Sequence, residues 1–450
     1  MLTPHDDISF TFTSIFMKIS GLWMAADDDE QRRRNITLAY TISLILFGVY
    51  IQTTDFYYSR KDIAVSLFII IRNFVLFWNR KKFFALVVYL QRKFLRSNYD
   101  VYEETIFNEC KRTCFIFISL FSFFTQATLA SYVIRTIVAN IGKNETDRIL
   151  PFRLWWNLPV TVTPYFEIIS VVLSLYQIGV CYFCFDNFLC IMNLHAAGQF
   201  RILQYRLTHM NHAKDEESPY TCSRYCADKY YAAFKRYVKE HQVLIAYCGK
   251  LEEVFNLIVL GQVLIFSLLI CLDGYQVLTA DASFATRLIF VFHIASCISQ
   301  LFMFSYSCDC LMRESSKIAS AIYAAPWFRL QMNRHGKMMR KDLIFVIMRS
   351  RTPCCLSARG FFIVSLETFT MVNSVWAFLV NNFLLEDCFF IFNGSIEIDF
   401  HIDIVFNCLL EFFTTSHSYQ ISKSLNSSST GHENCSVVLH TNKSKHRGCG

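Results

Sequence analysis

Four polar side chains with the potential for chemistry follow one another along a largely apolar stretch, FDNFLCIMNLHAAGQFRIL. They are Asp186, Asn193, His195 and Gln199. A carboxylate and an imidazole could serve in acid–base catalysis, but no candidate nucleophile is placed beside them. Asp186 and Asn193 are about two helical turns apart and share a helix face, which the three residues from Asn193 onward do not. The pattern therefore leaves two interpretations, one polar site or polar side chains that pair between helices.

Four potential zinc ligands follow this stretch, in the patterns HxxH and CxxxC. They are His209, His212, Cys222 and Cys226. The spacing is looser than that of known zinc motifs, and the intervening KDEESP is typical of a loop. The chain has 14 Gly and contains neither a Gly-rich phosphate-binding loop nor an H-E-x-x-H motif. We therefore predict no metal site, no cofactor and no enzymatic activity.

A single carboxylate, Glu367, lies in the apolar stretch 353–380. This stretch opens with a polar knee at residues 357–360 and then stays apolar for about the 20 residues that an α-helix needs to cross a bilayer. An ionisable group inside a bilayer is costly unless it faces protein or water. Glu367 is therefore either a functional residue or a carboxylate that pairs within a helix bundle.

The composition identifies the class of protein. Of the 450 residues, 54% are hydrophobic, 18% are charged and 45 are Phe, and the mean hydropathy is +0.32, which is too apolar for a soluble chain of this length. The formal net charge is +7, but Lys and Arg cluster between apolar segments, as in loops beside anionic membrane lipid, so nucleic-acid binding is not expected. Many of the 18 Cys lie in apolar runs, and no disulfide framework follows from them.

Seven apolar segments predict an all-α, polytopic membrane protein with seven transmembrane helices. The segments are 36–53, 62–78, 113–139, 165–194, 254–272, 283–307 and 353–380. Lys and Arg are concentrated before the first segment and in alternate loops, so the positive-inside rule predicts a cytoplasmic N-terminus. This orientation argues against a G-protein-coupled receptor. It also places the sequon at Asn144 outside the cell, as a glycosylation site.

The outer halves of the second, third and fourth segments predict a ligand pocket. Apolar walls with few polar groups are typical of pockets for small molecules. The alternative is that these aromatic side chains face lipid. The candidate residues are Phe68, Ile71, Gln126, Tyr132, Thr136, Tyr165 and Phe166.

Four stretches in this order resemble the insect odorant receptor family. The first is the polar stretch quoted above, and the second runs into the fifth segment. The third follows the sixth segment, and the fourth leads into the seventh. The last three read HQVLIAYCGKLEEVFNLIVLGQVLIFSLLIC, YSCDCLMRESSKIASAIYAAPWF and MRKDLIFVIMRSRTPCCLSARGFFIVSLETFTMV.

The resemblance implies a subunit of an odorant-gated, nonselective cation channel in the plasma membrane of olfactory neurons. Such a subunit binds volatile odorants and assembles with a shared coreceptor into a heterotetramer. The loop between the fourth and fifth segments is much shorter than the coreceptor's, which indicates a tuning subunit. By the same resemblance, the subunit anchor would contain Trp327, Leu343, Ile347 and Pro353. The pore motif would contain Ser365, Glu367, Phe369 and Val372.

The chain departs from the family pattern after the Leu-Glu-Thr-Phe motif, where a Tyr/Ser/Phe run and a short ending are expected. We therefore divide it into a cytoplasmic N-terminus at 1–35, a seven-helix receptor and channel domain at 36–380, and an atypical tail at 381–450. The tail is either an extracellular extension or the product of a misjoined exon. Two other functions stay open, a gustatory-type receptor of the same superfamily and a small-molecule transporter.

Overall fold

A computed structural model describes ten parts of the chain. They are residues 7–21, 23–24, 28–59, 80–95, 98–141, 163–210, 224–279, 284–325, 327 and 334–374. These residues are almost entirely helical. Within the described ranges, the β-structure consists of one isolated antiparallel bridge between Ser357 and Ile363. The all-α prediction is confirmed.

The helices are numbered here in chain order. They are α1 (Ile8–Ile19), α2 (Asp28–Ser59), α3 (Arg80–Tyr89), α4 (Val101–Asn140), α5 (Thr163–Thr208), α6 (Arg224–Thr279), α7 (Phe284–Ser316), α8 (Ile318–Ala324), α9 (Arg334–Ser350) and α10 (366–374). A short π-helical turn, Leu90–Phe94, continues α3.

Two helix starts follow from local sequence. The Asp7 carboxylate accepts hydrogen bonds from the backbone N–H groups of Ser9 and Phe10, which caps α1. At the start of α4, the backbone N–H of Asp100 donates to Glu103 Oε2 at 3.2 Å, as in a capping box. The N-terminal region at 1–35 therefore contains a capped helix, α1, which was not predicted from the sequence.

Helix α7 lies at the centre of the bundle and packs against α4, α5 and α6. Aromatic rings fill the core, and Phe83 contacts Phe185, Phe188 and Phe255 with ring centroids 5.4 to 6.0 Å apart. Edge-to-face pairs of this kind each contribute about 0.5–1.5 kcal/mol beyond their buried area. A Cβ at Gly198 would lie 2.7 Å from the Cys110 sulfur, so a glycine is needed where α4 and α5 approach closely.

Five of the predicted membrane segments lie within α2, α4, α5, α6 and α7. Among the described residues, three helical stretches are long and apolar enough to span a membrane, namely Val101–Arg135, Tyr230–Ile270 and Arg287–Ala324. The segment 62–78 lies outside the described residues. The helices are much longer than the predicted segments, since α6 has 56 residues and therefore a length of about 84 Å. A hydrocarbon core is about 30 Å thick, so α6 must extend far beyond it.

Candidate functional site

The polar knee before α10 is a defined turn. Arg359 and Gly360 have φ values of 54° and 83°, in the left-handed region that glycine favours. The backbone N–H of Ala358 donates to Phe362 O at 2.9 Å, which closes the turn. The Ser357 hydroxyl donates to Glu252 Oε1 at 2.6 Å and joins the knee to α6. Because the chain stays extended after this turn, α10 begins at residue 366, later than the apolar pattern suggested.

Helix α10 has two different faces. Ser365, Phe369 and Val372 recur at a spacing of three to four residues and face the bundle. Ser365 and Val372 are buried, and the Phe369 ring meets Phe302 edge to face at 5.3 Å. This face therefore fixes the helix against α7.

The opposite face of α10 is polar. Glu367, Thr370 and Ser374 share it by helical spacing. Glu367 is half-buried, whereas Thr370 and Ser374 are exposed. The spacing Glu-x-x-Thr-x-x-x-Ser, which places these residues on one helix face, is present in the sequence. The sequence interpretation grouped residues by the family motif instead, and so it missed Thr370 and Ser374.

Helix α9, which precedes the knee, is amphipathic. Its inner face contains Met339 and Leu343, which are buried, and Ile347, which packs against the core. The Arg340 guanidinium lies over the Trp327 ring at 5.8 Å. Pro353 is half-buried just beyond the end of the helix. The predicted anchor residues thus lie at one end of the bundle, around α9.

The outer face of α9 carries large apolar side chains that nothing in the described part of the chain covers. Phe345 is 70% exposed, and Ile344 and Met348 are also largely exposed. Their spacing of one and four residues places them together on one side of the helix. Contiguous exposed apolar groups of this size are typical of interaction surfaces.

A buried carboxylate, Asp186, joins three helices in the centre of the bundle. Gln262 of α6 donates to Asp186 Oδ2 at 3.1 Å, and Gln300 of α7 donates to the same oxygen. Asn193, two turns further along α5, donates to Ser307 at 3.3 Å. A buried charge is tolerated only when hydrogen bonds compensate for lost water, and these amides supply them.

The next two polar residues of the same stretch bond to other parts of the chain. His195 Nε2 lies 2.8 Å from Asp7 Oδ2, which brings α1 against α5. The Gln199 amide donates to the Tyr99 hydroxyl at 2.7 Å. The four polar residues thus face different partners, and the interpretation as pairing between helices is confirmed over that of a single site.

Comparison with known proteins identifies the family to which this arrangement belongs. The family model described as 7tm Odorant receptor matches residues 62–376, well over half of the chain. The chain belongs to the 7tm odorant receptor family. The receptor is 23% identical to odorant receptor 13a of Drosophila melanogaster over 402 residues, which cover 82% of this chain and 94% of that relative. It is 30% identical to putative odorant receptor 85d of the same species over 131 residues, 29% of this chain and 30% of that one.

The fold of the receptor is similar to that of the insect olfactory receptor OR5 from Machilis hrabei. The match to its complex with eugenol has a TM-score of 0.65 at 14% identity and covers 84% of this chain and 97% of that one. A second OR5 structure matches with a TM-score of 0.67 at 13% identity and covers 83% and 97%. The receptor is therefore a multi-pass, seven-helix membrane protein. Its relatives are receptors rather than enzymes, and individual odorant receptors rather than the coreceptor, which agrees with the sequence predictions.

The pocket candidates of the receptor are only partly described. Gln126 lies on α4 and is exposed. Tyr132 and Thr136 follow on the same helix, and Tyr165 and Phe166 lie near the start of α5, but the described side chains do not include these four. Phe68 and Ile71 lie outside the described residues altogether, so the pocket stays a prediction.

Three further sequence predictions concern residues outside the described ranges. They are the glycosylation site Asn144, the loop ligands His212 and Cys222, and the tail at 381–450. Of the other two loop ligands, His209 lies at the end of α5, where its Nδ1 is 3.0 Å from the Tyr205 carbonyl oxygen. The Cys226 side chain is not among those described.

Proposed function

We propose that the receptor is a tuning subunit which binds volatile odorants and, together with a coreceptor, gates a nonselective cation channel. The observation that carries this proposal is the two-faced character of α10. One face packs into the bundle, and the other presents Glu367, Thr370 and Ser374. The Thr370 and Ser374 hydroxyls donate to carbonyl oxygens of the same helix at 2.8 Å. The Glu367 carboxylate is tolerated in a membrane helix when it borders protein or water, as it would in a cation pathway.

Assembly is supported by the outer face of α9. The side chains of Ile344, Phe345 and Met348 are exposed to a degree that is costly in water and favourable in an interface. Met339 and Leu343 hold the opposite face of the same helix in the core, so the exposed face is presented on a fixed element. We propose that this face contacts neighbouring subunits of a heterotetramer in the plasma membrane of olfactory neurons.

Ligand binding is proposed for the predicted outer end of α4 and α5. The candidate residues on these helices are aromatic or carry a single amide or hydroxyl group, which suits a small, weakly polar molecule. Opening requires that the odorant bind the open state more tightly than the closed state. Because the knee is hydrogen-bonded to Glu252 of α6, a shift of α6 would reach α10 directly.

The test is to express the receptor with a coreceptor in cells that lack both and to record current during application of a panel of volatiles. We expect odorant-evoked cation current that requires the receptor. Glu367→Gln should change relative cation permeability or block, whereas the matched Glu167→Gln, in the fourth segment, should not. Absence of any evoked current across a broad panel would count against the channel. Unchanged permeability in Glu367→Gln would assign that carboxylate a structural role.

A further inference from the structure

Three metal-ligating side chains meet where α6 and α7 approach their shared connection. Asp273 lies six residues before the end of α6, and His293 and Cys297 lie one turn apart on α7. His293 Nδ1 is 2.6 Å from Asp273 Oδ2, and one ligand atom of each of the three residues lies within 4.8 Å of the others. The cluster has no linear sequence motif, because its members come from two helices.

We propose that Asp273, His293 and Cys297 form a binding site for a divalent transition-metal ion of the Zn²⁺ type. Carboxylate oxygen, imidazole nitrogen and thiolate sulfur are the three ligand types that Zn²⁺ takes from proteins. Three protein ligands leave a fourth position of the tetrahedron for water. Residues four apart on a helix, as His293 and Cys297 are, project to one side, so they can coordinate the same ion.

The cluster is both buried and accessible. Cys297 is 4% exposed and Asp273 is nearly as buried. Because water has little access to these two side chains, a bound ion would replace few of their contacts with water. The His293 side chain is 34% exposed and is the member of the cluster that reaches the surface of the described part of the chain. In a tetrahedral zinc site, neighbouring ligand atoms lie roughly 3.3–3.6 Å apart. His293 and Asp273 must therefore separate by less than about 1 Å to admit an ion between them.

Ion binding at this position connects two helices of the bundle. Without metal, the hydrogen bond between Asp273 and His293 crosses from α6 to α7 at this position, and the ion replaces it with coordination to both helices. An ion at this site therefore opposes relative movement of α6 and α7.

A second cluster of the same residue types provides the internal control. Asp7, Cys114 and His195 also have ligand atoms within 4.8 Å of one another. All three side chains are buried, and those of Asp7 and His195 are each only 1% exposed, so no member of this cluster reaches the surface of the described part of the chain. Asp7 additionally caps α1, so its carboxylate is already committed to two backbone N–H groups. This cluster is expected to bind no metal.

The test uses the full-length receptor, purified in detergent, with Co²⁺ alone as a spectroscopic probe and Zn²⁺ as competitor. We expect a saturable thiolate-to-cobalt charge-transfer band that Zn²⁺ displaces. Cys297→Ser should abolish the band. His293→Ala removes a ligand and should weaken Co²⁺ binding by at least the roughly 100-fold that loss of an outer-shell partner can cost. Cys114→Ser should leave both the band and the affinity unchanged.

Several outcomes overturn the proposal. They are the absence of a saturable band in the wild-type receptor, its persistence in Cys297→Ser, and its loss in Cys114→Ser. Each variant is first checked for a monodisperse elution profile without metal. If His293→Ala does not fold, Asp273→Asn, which keeps the side-chain shape, takes its place and should also weaken binding. The measurement involves no current, so its result is independent of channel function.

Discussion

The contact between Asp7 and His195 makes a quantitative prediction about the N-terminal helix. One oxygen of Asp7 caps α1, and the other bonds to His195 Nε2 at 2.8 Å. Burial raises the pKa of the Asp7 carboxyl, but the hydrogen bond and charge of His195, together with two backbone amides, lower it by more, so the net pKa lies below its usual value. The stability that Asp7 confers is therefore complete above the unfolded-state pKa of about 3.9. It is lost as the pH falls through the lowered folded-state pKa of Asp7, so the contribution of the Asp7 carboxylate is present at neutral pH.

We expect Asp7→Ala to release α1 from the bundle. Loss of the cap costs about 1 kcal/mol, and removal of one partner from a buried pair costs about 3–5 kcal/mol in total. We take about 3 kcal/mol as the reduction in the free energy needed to undock α1. Each 1.4 kcal/mol is a factor of ten, so the undocked population should rise roughly 100-fold.

Alkylation of Cys114 reports this undocking. Its side chain is buried and lies beside Asp7 and His195. In Asp7→Ala, N-ethylmaleimide should label it roughly 100-fold faster, measured by peptide mass spectrometry at neutral pH. Asp7→Asn keeps the capping oxygen and should have a smaller effect. Cys308, buried where α7 meets α5, is the internal control and should keep its wild-type rate. Labelling of Cys114 within a factor of about two of wild type would refute the assignment.

Phe345→Asp in α9 should abolish copurification with a coreceptor without lowering thermal stability, because this ring is 70% exposed and makes the proposed interface. Asn144→Gln should remove a glycosidase-sensitive mobility shift, and an antibody should reach a tag at Met1 only after permeabilisation, because the charge distribution predicts a cytoplasmic N-terminus. Arg206→Lys should destabilise the receptor by about 1–2 kcal/mol in a thermal assay, because Arg206 binds Glu103 through two nitrogens at 2.7 and 3.0 Å and lysine cannot.

Each of these expectations has a control or a contradicting result. Leu343→Asp, on the inner face of α9, should destabilise the subunit itself, and an equal effect at Phe345 would contradict the interface. Surface labelling of the tag in intact cells would reverse the topology. Lys82 pairs with Glu253 at the exposed surface, and Lys82→Ala should change stability by less than about 1 kcal/mol.

The helical fold could be predicted from the sequence, and five of the predicted membrane segments coincide with described helices, because long apolar runs have few alternatives. The lengths of the helices could not, since the extension of α6 beyond 254–272 contains charges that pack against other helices. Helix α1 was missed because its stability depends on His195, 188 residues away. A short amphipathic segment carries no strong signal of its own.

Features of the candidate site that neighbouring residues form could be predicted from the sequence, whereas contacts between distant helices could not. The knee at 357–360 could be predicted from the sequence, because Gly360 and its polar neighbours interrupt an apolar run. The partners of Asp186 were not, because Gln262 and Gln300 come from helices whose relative rotation only packing determines. The Asp273–His293–Cys297 cluster shares this property, since pairs of helices create sites that a linear motif does not contain.

Because α6 is long, a small rotation about one end displaces its other parts by several ångströms. A rigid rotation of about 5° about one end displaces the other end of an 84 Å helix by roughly 7 Å. Glu252 lies near the middle of α6, so it would move about half as far and pull the knee through the Ser357 hydroxyl. A change of only about 5° in the tilt of α6 would therefore move the knee before α10 by roughly 3–4 Å.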